Sequence, residues 1–305
     1  MKVGLYSVTY SAAWYRGDPL TLGEFIGRAK ELGFDGVEIG LKRPHGSPLD
    51  LDERACGKIR ERLDRQGIEL AACASYNDFS SPVVERRETE LYFVKGQIAL
   101  ARALGARILR VFAAWPGVTM RDGLATYDMA RRYVQTHYPD ATHLERWAFV
   151  REGLSEAARY AEEASVVLAL QNHPPIINDY RDMLAFIREV DSPFLKACLD
   201  CPLLRPRDAD AEYVAQAVRD TGALQVHSHF GGEFHRDERG LPQLDGATNY
   251  PAFVAALKET GYEDYLCYEF CHPCLNDRHE PAGIERVDEQ TRMAAEYMRR
   301  VMDGV

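Results

Sequence analysis

The sequence predicts a parallel (β/α)₈ barrel in a single domain spanning residues 1–305. Three observations lead there. Short apolar runs alternate with amphipathic segments along the whole chain, the pattern of repeated βα units and a parallel sheet. No Pro/Gly/Ser-rich linker or shift in composition divides the 305 residues, a length that one barrel can fill. Four successive late strand candidates each break into a polar residue of a metal-binding type: Gln171, Asp200, His229 and Glu269. In a parallel barrel all C-terminal strand ends meet on one face, where active sites form, so residues far apart in sequence can surround one ion.

The elements follow in order. Strand 1 is read over about Val3–Thr9. Thr21-Leu22-Gly23-Glu24 has the form of a capping box and opens a helix to Leu32, which Gly33 ends. Strand 2 is Phe34–Ile39, helix 2 Asp52–Gln66 and strand 3 Ile68–Ala74. Helix 3 is long, Val83–Leu104, and Gly105 closes it before strand 4, Ala106–Phe112. The stretch Ala113–Ala141 breaks the rhythm and carries Trp115, Pro116, Tyr127, Tyr133, His137, Tyr138 and Pro139. Connections this long are usually functional or disordered, and the aromatic content points to an ordered lid or a subunit interface. Thr142-His143-Leu144-Glu145 repeats the capping-box pattern and opens helix 4 to Glu163. Strand 5 (Val166–His173), helix 5 (Asp179–Glu189), strand 6 (Leu195–Asp200), helix 6 (Ala209–Asp220) and strand 7 (Ala223–His229) follow. A second long loop, Phe230–Ala247, leads to helix 7 (Tyr250–Thr260), strand 8 (Tyr265–Glu269) and a last helix, Ile284–Met302.

Apolar content of 46% and charged content of 28% suit a soluble chain with a full core. No apolar run approaches the ~18 residues of a membrane span. The opening Met1-Lys2-Val3-Gly4-Leu5-Tyr6 reads as a strand starting at once, not as a signal peptide. A formal net charge of −10 argues against a nucleic-acid surface, which needs a basic stripe. Seven cysteines, an odd count without a secretion signal, are expected as reduced thiols in a cytoplasm.

Asp and Glu supply hard anionic oxygens, His an imidazole nitrogen and Gln a neutral carbonyl oxygen. One divalent ion is the expected cofactor. The mixed set suits Mn²⁺, the preferred ion, and Mg²⁺, Fe²⁺ or Co²⁺, better than a structural zinc; catalytic Zn²⁺ is a further option. Two carboxylates give a ligand charge of about −2, which neutralises the ion while leaving it a Lewis acid.

The segment His227-Ser228-His229-Phe230-Gly231-Gly232-Glu233 resembles the seventh-strand motif of the sugar isomerase/epimerase (xylose isomerase-like) barrel superfamily. That superfamily includes ketose 3-epimerases, inosose dehydratases and the large subunits of C-glycoside deglycosidases. Asn249-Tyr250-Pro251-Ala252-Phe253, Leu257-Lys258-Glu259-Thr260-Gly261-Tyr262 and Tyr268-Glu269-Phe270 are similar to the same families' seventh helix and eighth strand, and Phe34-Asp35-Gly36-Val37-Glu38 to their second strand. The likeness spans the chain. It implies Glu, Asp, His and Glu ligands on strands 5 to 8, and the last three positions fall on Asp200, His229 and Glu269. The first falls on Gln171, a departure. In the epimerases that carboxylate is a ligand and one of two bases on opposite faces of the sugar, and Gln cannot take a proton near neutral pH. The Asp-x-x-His feature of several epimerases is missing too, since Cys201-Pro202-Leu203 follow Asp200.

Another group must then move protons. His143, just after the strand-4 loop, is placed at the catalytic rim, and an ordinary pKa of about 6.5 suits acid/base work. Glu145 is close by, and Glu269 can act as base as well as ligand. The C-glycoside deglycosidases resemble this arrangement most. The resemblance therefore implies metal-assisted proton abstraction next to a sugar carbonyl and C–C cleavage of a 3-oxo-C-glycoside, with the aromatic lid holding the aglycone. A ketose or sugar-phosphate isomerase/epimerase is the second reading, and a non-catalytic sugar-binding protein the third. The expected partners are a small-molecule sugar or glycoside, with a small partner subunit or a second copy of the chain; nucleic acid and membrane are not expected.

Each residue also has a plainer reading. Asp200 and Glu269 could be ion-paired strand-end carboxylates, and Gln171 an amide behind the ligands. His227 shares a strand face with His229 by alternation; the resemblance selects His229 as ligand and leaves His227, His173 and Trp115 as substrate contacts. His173 could instead cap the next helix. His143 could be a solvated residue in a first helical turn, and Glu145 a helix cap. Cys198/Cys201 and Cys271/Cys274 are Cys-x-x-Cys pairs, but alternation points Cys198 and Cys201 to opposite faces, against a structural zinc.

Overall fold

The computed structural model of the chain describes residues 1–128, 131–132 and 138–305. Eight parallel strands close a barrel: β1 (Lys2–Tyr6), β2 (Gly36–Gly40), β3 (Glu69–Ala74), β4 (Ile108–Val111), β7 (Val167–Gln171), β8 (Leu195–Cys198), β9 (Gln225–Phe230) and β12 (Tyr265–Tyr268). The first and last strands seal it, with Lys2 opposite Tyr265 and Leu5 opposite Tyr268. Helices of ten residues or more pack outside: α1 (Leu22–Glu31), α2 (Glu53–Gln66), α3 (Val84–Leu104), α4 (His143–Ala164), α5 (Tyr180–Val190), α6 (Ala211–Thr221), α7 (Tyr250–Glu259) and α8 (Ile284–Gly304). The expected (β/α)₈ barrel is present, as one domain. No helix among the described residues is long and apolar enough to cross a membrane.

Local chemistry explains the boundaries. Both capping boxes form in full: Thr21 and Thr142 accept from the backbones of Glu24 and Glu145, whose carboxylates return to the cap amides. Gly67 and Gly105 end α2 and α3 in the left-handed region, at φ 60° and 84°, where glycine carries no Cβ penalty. α1 turns Leu22, Phe25, Ile26 and Ala29 inward; fully burying each large apolar side chain is worth roughly 1.5–3 kcal/mol.

Three expectations change. Strand 1 stops at Tyr6, and Ser7–Tyr10 is a buried 3₁₀ turn. The Ser7 hydroxyl there accepts from the Gly40 amide at 2.9 Å, tying the turn to β2. The connection after strand 4 contains an antiparallel hairpin, β5 (Thr119–Arg121) and β6 (Leu124–Thr126). The connection after strand 7 contains another, β10 (Glu233–Arg236) and β11 (Pro242–Asp245). It is pinned to α8, since the Gln290 amide exchanges hydrogen bonds with the Phe234 backbone at 2.7 and 3.0 Å. Tyr133 and His137 of the expected lid lie outside the described residues.

Candidate functional site

Strands β7, β8 and β9 are neighbours in the barrel, so their C-terminal ends sit side by side. Gln171 is the last residue of β7, Asp200 follows β8, and His229 is near the end of β9. All three are buried. The Gln171 amide donates to Asp200 Oδ2. His229 Nδ1 lies 3.0 Å from the same oxygen and 3.1 Å from Gln171 Nε2. Asp200 is fixed further: Oδ1 accepts from the His229 backbone at 2.7 Å, and its own amide donates to Asn172 Oδ1 at 2.8 Å. Burial pushes the Asp200 carboxyl up, but His229 alongside outweighs it and holds the group below its ordinary pKa.

Gln171 Oε1 is buried and has no hydrogen-bond partner among the described residues. A buried carbonyl oxygen left bare is costly and rare. Beside a carboxylate and an imidazole nitrogen, it completes a donor set that fits one divalent cation. The Cys198 thiol stands 3.5 Å from Asp200 Oδ1 and groups with Asp200 and His229, not with Cys201. All seven cysteines are free. Glu38, His227 and Cys267 form a second close group, two residues earlier along β9 and absent from the cavity wall.

Beneath the triad lies a charged centre that sequence reasoning left out of the site. Glu38 on β2 and Arg110 on β4 are 0% and 1% exposed. Glu38 Oε2 receives both imidazoles, His227 Nε2 at 3.0 Å and His229 Nε2 at 2.5 Å. Burial would raise its pKa, yet the two histidines hold the carboxyl well below its usual range. Arg110 Nε lies 3.5 Å from Glu38 Oε1, its Nη2 donates to the Tyr6 hydroxyl at 2.8 Å, and its guanidinium stacks 4.3 Å from the Phe112 ring. The available signal was a charge inside each of two short buried strands, where a parallel barrel reads as continuous apolar residues.

Above the triad a cavity opens, walled by Trp14, Phe112, Trp115 and Tyr127 and reached by Gln171, His173, Glu269, Lys42, Tyr76 and Arg110. Glu269 follows β12 at this rim. Burial raises its carboxyl pKa, against the lowering pull of His229. His173 packs edge-on against Phe112 and Trp115, at 5.1 and 5.0 Å. Burial lowers its pKa to about 4, so the ring is neutral near pH 7. It does not cap the next helix, because Asp179 does.

The structure thus brings Gln171, Asp200 and His229 into direct contact and sets Glu269, His173 and Trp115 on the same cavity as Gln171. His227 points into the barrel against Glu38 instead of lining the cavity. His143 and Glu145 are not brought there. His143 is exposed in the first turn of α4, its ring 6.1 Å from Trp147, which stacks on Phe186 of α5 at 3.8 Å. Glu145 spends its carboxylate on the Thr142 cap and lines a separate surface groove with Tyr138 and Phe149. A position after the strand-4 loop selects the correct face of the barrel but not the distance from its axis.

Known proteins share this architecture. The chain is 23% identical to the fructoselysine 3-epimerase of Shigella flexneri over 259 residues, covering 82% of this chain and 85% of that one. The structure of a D-psicose 3-epimerase in the presence of D-fructose superposes with a TM-score of 0.73 at 18% identity, covering 99% of both chains. The structure of the IOLI protein with a bound zinc atom superposes with a TM-score of 0.70 at 18% identity, covering 100% of this chain and 99% of that one. The closed barrel agrees with the family pattern that matches residues 26–300, and the chain belongs to the xylose isomerase-like TIM barrel family.

Proposed function

We propose that this chain is a divalent-metal-dependent isomerase or epimerase of a ketose. The observation that carries the reading is the contact of Asp200 and His229 with the amide of Gln171, whose carbonyl oxygen is buried without a partner, beside a cavity that holds Glu269. These four residues would hold one ion, Mn²⁺ by the hardness of the donors, and bound there it supplies Lewis acidity at the sugar carbonyl.

The chain's own residues do the rest. Glu269 is the one carboxylate among the described residues that line the cavity, and burial raises its pKa toward the range of a useful base. It takes the proton from the hydroxyl-bearing carbon next to the carbonyl, the C–H electron pair becomes a C=C bond, and the carbonyl π pair moves onto its oxygen, giving an enediolate. The neighbouring hydroxyl passes its proton to that oxygen, the protonated carboxyl returns its proton to the former carbonyl carbon, and the C=C pair forms that C–H bond while the neighbouring oxygen's pair closes the isomeric carbonyl. Gln171 cannot exchange a proton, so the two-carboxylate route is closed. A single base favours transfer on one face, which is aldose–ketose isomerisation. Neutral His173 and the aromatic wall exclude water and give the sugar's apolar face a surface to lie on.

One observation favours a second reading. Trp14, Phe112, Trp115 and Tyr127 could also hold an aryl aglycone, and the same proton abstraction would then lead to cleavage of a 3-oxo-C-glycoside. The test is NMR in D₂O of the Mn²⁺-loaded protein with a panel of ketoses and a 3-oxo-C-glycoside. Deuterium should enter next to the ketose carbonyl with interconversion of aldose and ketose. Glu269→Gln should slow this by about 10²- to 10⁴-fold. Cleavage of the glycoside without exchange into any ketose would replace the isomerase reading with the second one, and the absence of both would sink each.

A further inference from the structure

The cavity has two chemically opposite ends. The acceptor end holds Gln171 Oε1 and the Glu269 carboxylate. The other end is built of donors. Lys42 follows β2 by two residues, on the face where the strands end. It lines the cavity, and no carboxylate among the described residues pairs with it. Its Nζ lies 3.9 Å from the Tyr76 ring centroid, a contact with a π face instead of a counter-ion. The indole of Trp14 is 2% exposed, and its N–H has no acceptor among the described residues. The Tyr6 hydroxyl accepts from Arg110 at 2.8 Å and sits 2.5 Å from the Tyr76 hydroxyl. Either hydroxyl can donate in that pair, and when Tyr6 donates the Tyr76 proton is free for another acceptor. A Cβ on Gly40 would stand 2.5 Å from that hydroxyl, so glycine there makes room for the phenol.

Charge counting assigns the partner. Arg110 is already matched by Glu38. A divalent ion at the acceptor end would be matched by Asp200 and Glu269. His173 is neutral. The charge left over among the described lining residues is the single positive charge of Lys42. Burial lowers the Lys42 pKa to about 8, as expected of an ammonium drawn from water without an anion. A lone lysine with indole and phenol donors suits a monoanion. A phosphate dianion is more commonly met by a helix N-terminus or a bidentate guanidinium, and here the guanidinium is spent on Tyr6 and Glu38.

We propose that Lys42, Trp14 and Tyr76 form a carboxylate-binding end of the cavity, so that the sugar this site takes is a keto sugar acid. The proposal rests on the isomerase reading for the word sugar, while the anion preference can be read by binding alone. The experiment is calorimetric titration of the protein, with and without Mn²⁺, using 2-keto-D-gluconate, D-fructose and D-fructose 6-phosphate. Wild type, Lys42→Met, Lys42→Arg and Trp14→Phe are compared, with metal content measured on each preparation. A hydrogen bond to a charged group is worth roughly a ten- to hundredfold change in affinity, so the wild type should prefer the keto acid over fructose by about that ratio. Lys42→Met should bring the ratio close to one, Lys42→Arg should keep most of it, and Trp14→Phe should lower it part of the way. Equal binding of keto acid and fructose by wild type, or a ratio unchanged in Lys42→Met, overturns the proposal. A preference for the phosphate ester that Lys42→Met removes overturns the carboxylate assignment. Loss of the isomerase reading shows separately, as failure to retain metal or to exchange deuterium into any ketose, while the ratio still tests Lys42.

Discussion

Glu38 Oε2 lies 2.5 Å from Nε2 of His229, so a carboxylate from the second barrel strand decides which imidazole nitrogen is left for the strand-end cluster. Nδ1 is the atom that remains, and it points at Asp200 and Gln171. Carboxylates behind a ligating histidine fix its orientation, and their loss typically costs 10- to 100-fold in metal affinity. Glu38→Gln should therefore weaken Mn²⁺ binding by about 10- to 100-fold with the fold intact, as metal titration followed by calorimetry would show. Glu38→Ala should do more. It strands Arg110 without its counter-ion, and breaking a buried pair costs roughly 3–5 kcal/mol, readable by urea unfolding.

Gln171→Glu tests the role of the amide. The Gln171 N–H₂ now donates to Asp200 Oδ2. A glutamate would set a second anion against that oxygen and repel it. The metal-free variant should melt below wild type, and its midpoint should rise more than that of wild type on adding Mn²⁺, because the ion then relieves the repulsion. Differential scanning fluorimetry at matched metal concentrations checks this. Equal metal-induced shifts in the two proteins would leave Gln171 outside the ligand set.

His143→Ala separates two readings of that residue. A general acid or base at the reacting atoms contributes about 10²- to 10⁴-fold, whereas a solvated side chain contributes little. The exposed position of His143 beside Trp147 predicts the small effect, an exchange rate within about threefold of wild type. A loss of about a hundredfold or more at unchanged metal content would bring His143 back to the chemistry.

Acid stability should carry the mark of His45. Its ring accepts burial beside Phe25 at 5.6 Å, its Nε2 is 3.1 Å from the Leu20 carbonyl, and burial lowers its pKa to about 4. The unfolded chain takes up the proton near pH 6.5, the folded one only near 4, so the unfolded state binds more protons between those values. The contribution is complete above pH 6.5 and is lost as pH falls toward 4, at up to about 1.4 kcal/mol per pH unit. His45→Gln should flatten the melting temperature against pH across that window. Parallel curves for variant and wild type would show that other groups, His173 among them, dominate acid unfolding.

Much of the barrel is legible in the residues because its signals are local. The two Thr-x-x-Glu boxes, the glycines at 67 and 105 and the alternation of apolar runs with amphipathic segments act over a few residues, and each reports its own element. Gln171, Asp200, His229 and Glu269, at or just past the ends of their strands, marked the C-terminal face of the barrel, because parallel strands share one direction. What the residues alone could not decide is who meets whom across the barrel. Glu38 is 191 positions from His229 and shares a hydrogen bond with it. Its charge stood out inside an apolar strand, but the partner that makes burial tolerable comes from the far side of the closed sheet. The hairpin in the second long connection was hidden for the same reason, since β10 is held against α8 by Gln290 and Arg236–Glu296. His143 stood on the correct face in sequence order, yet the outward placement of α4 keeps it beside Trp147 and away from the cavity. Sequence order sets the face of a barrel on which a residue emerges. Closure of the sheet and the packing of helices around it set how near that residue comes to the axis, and only there do charges become a site.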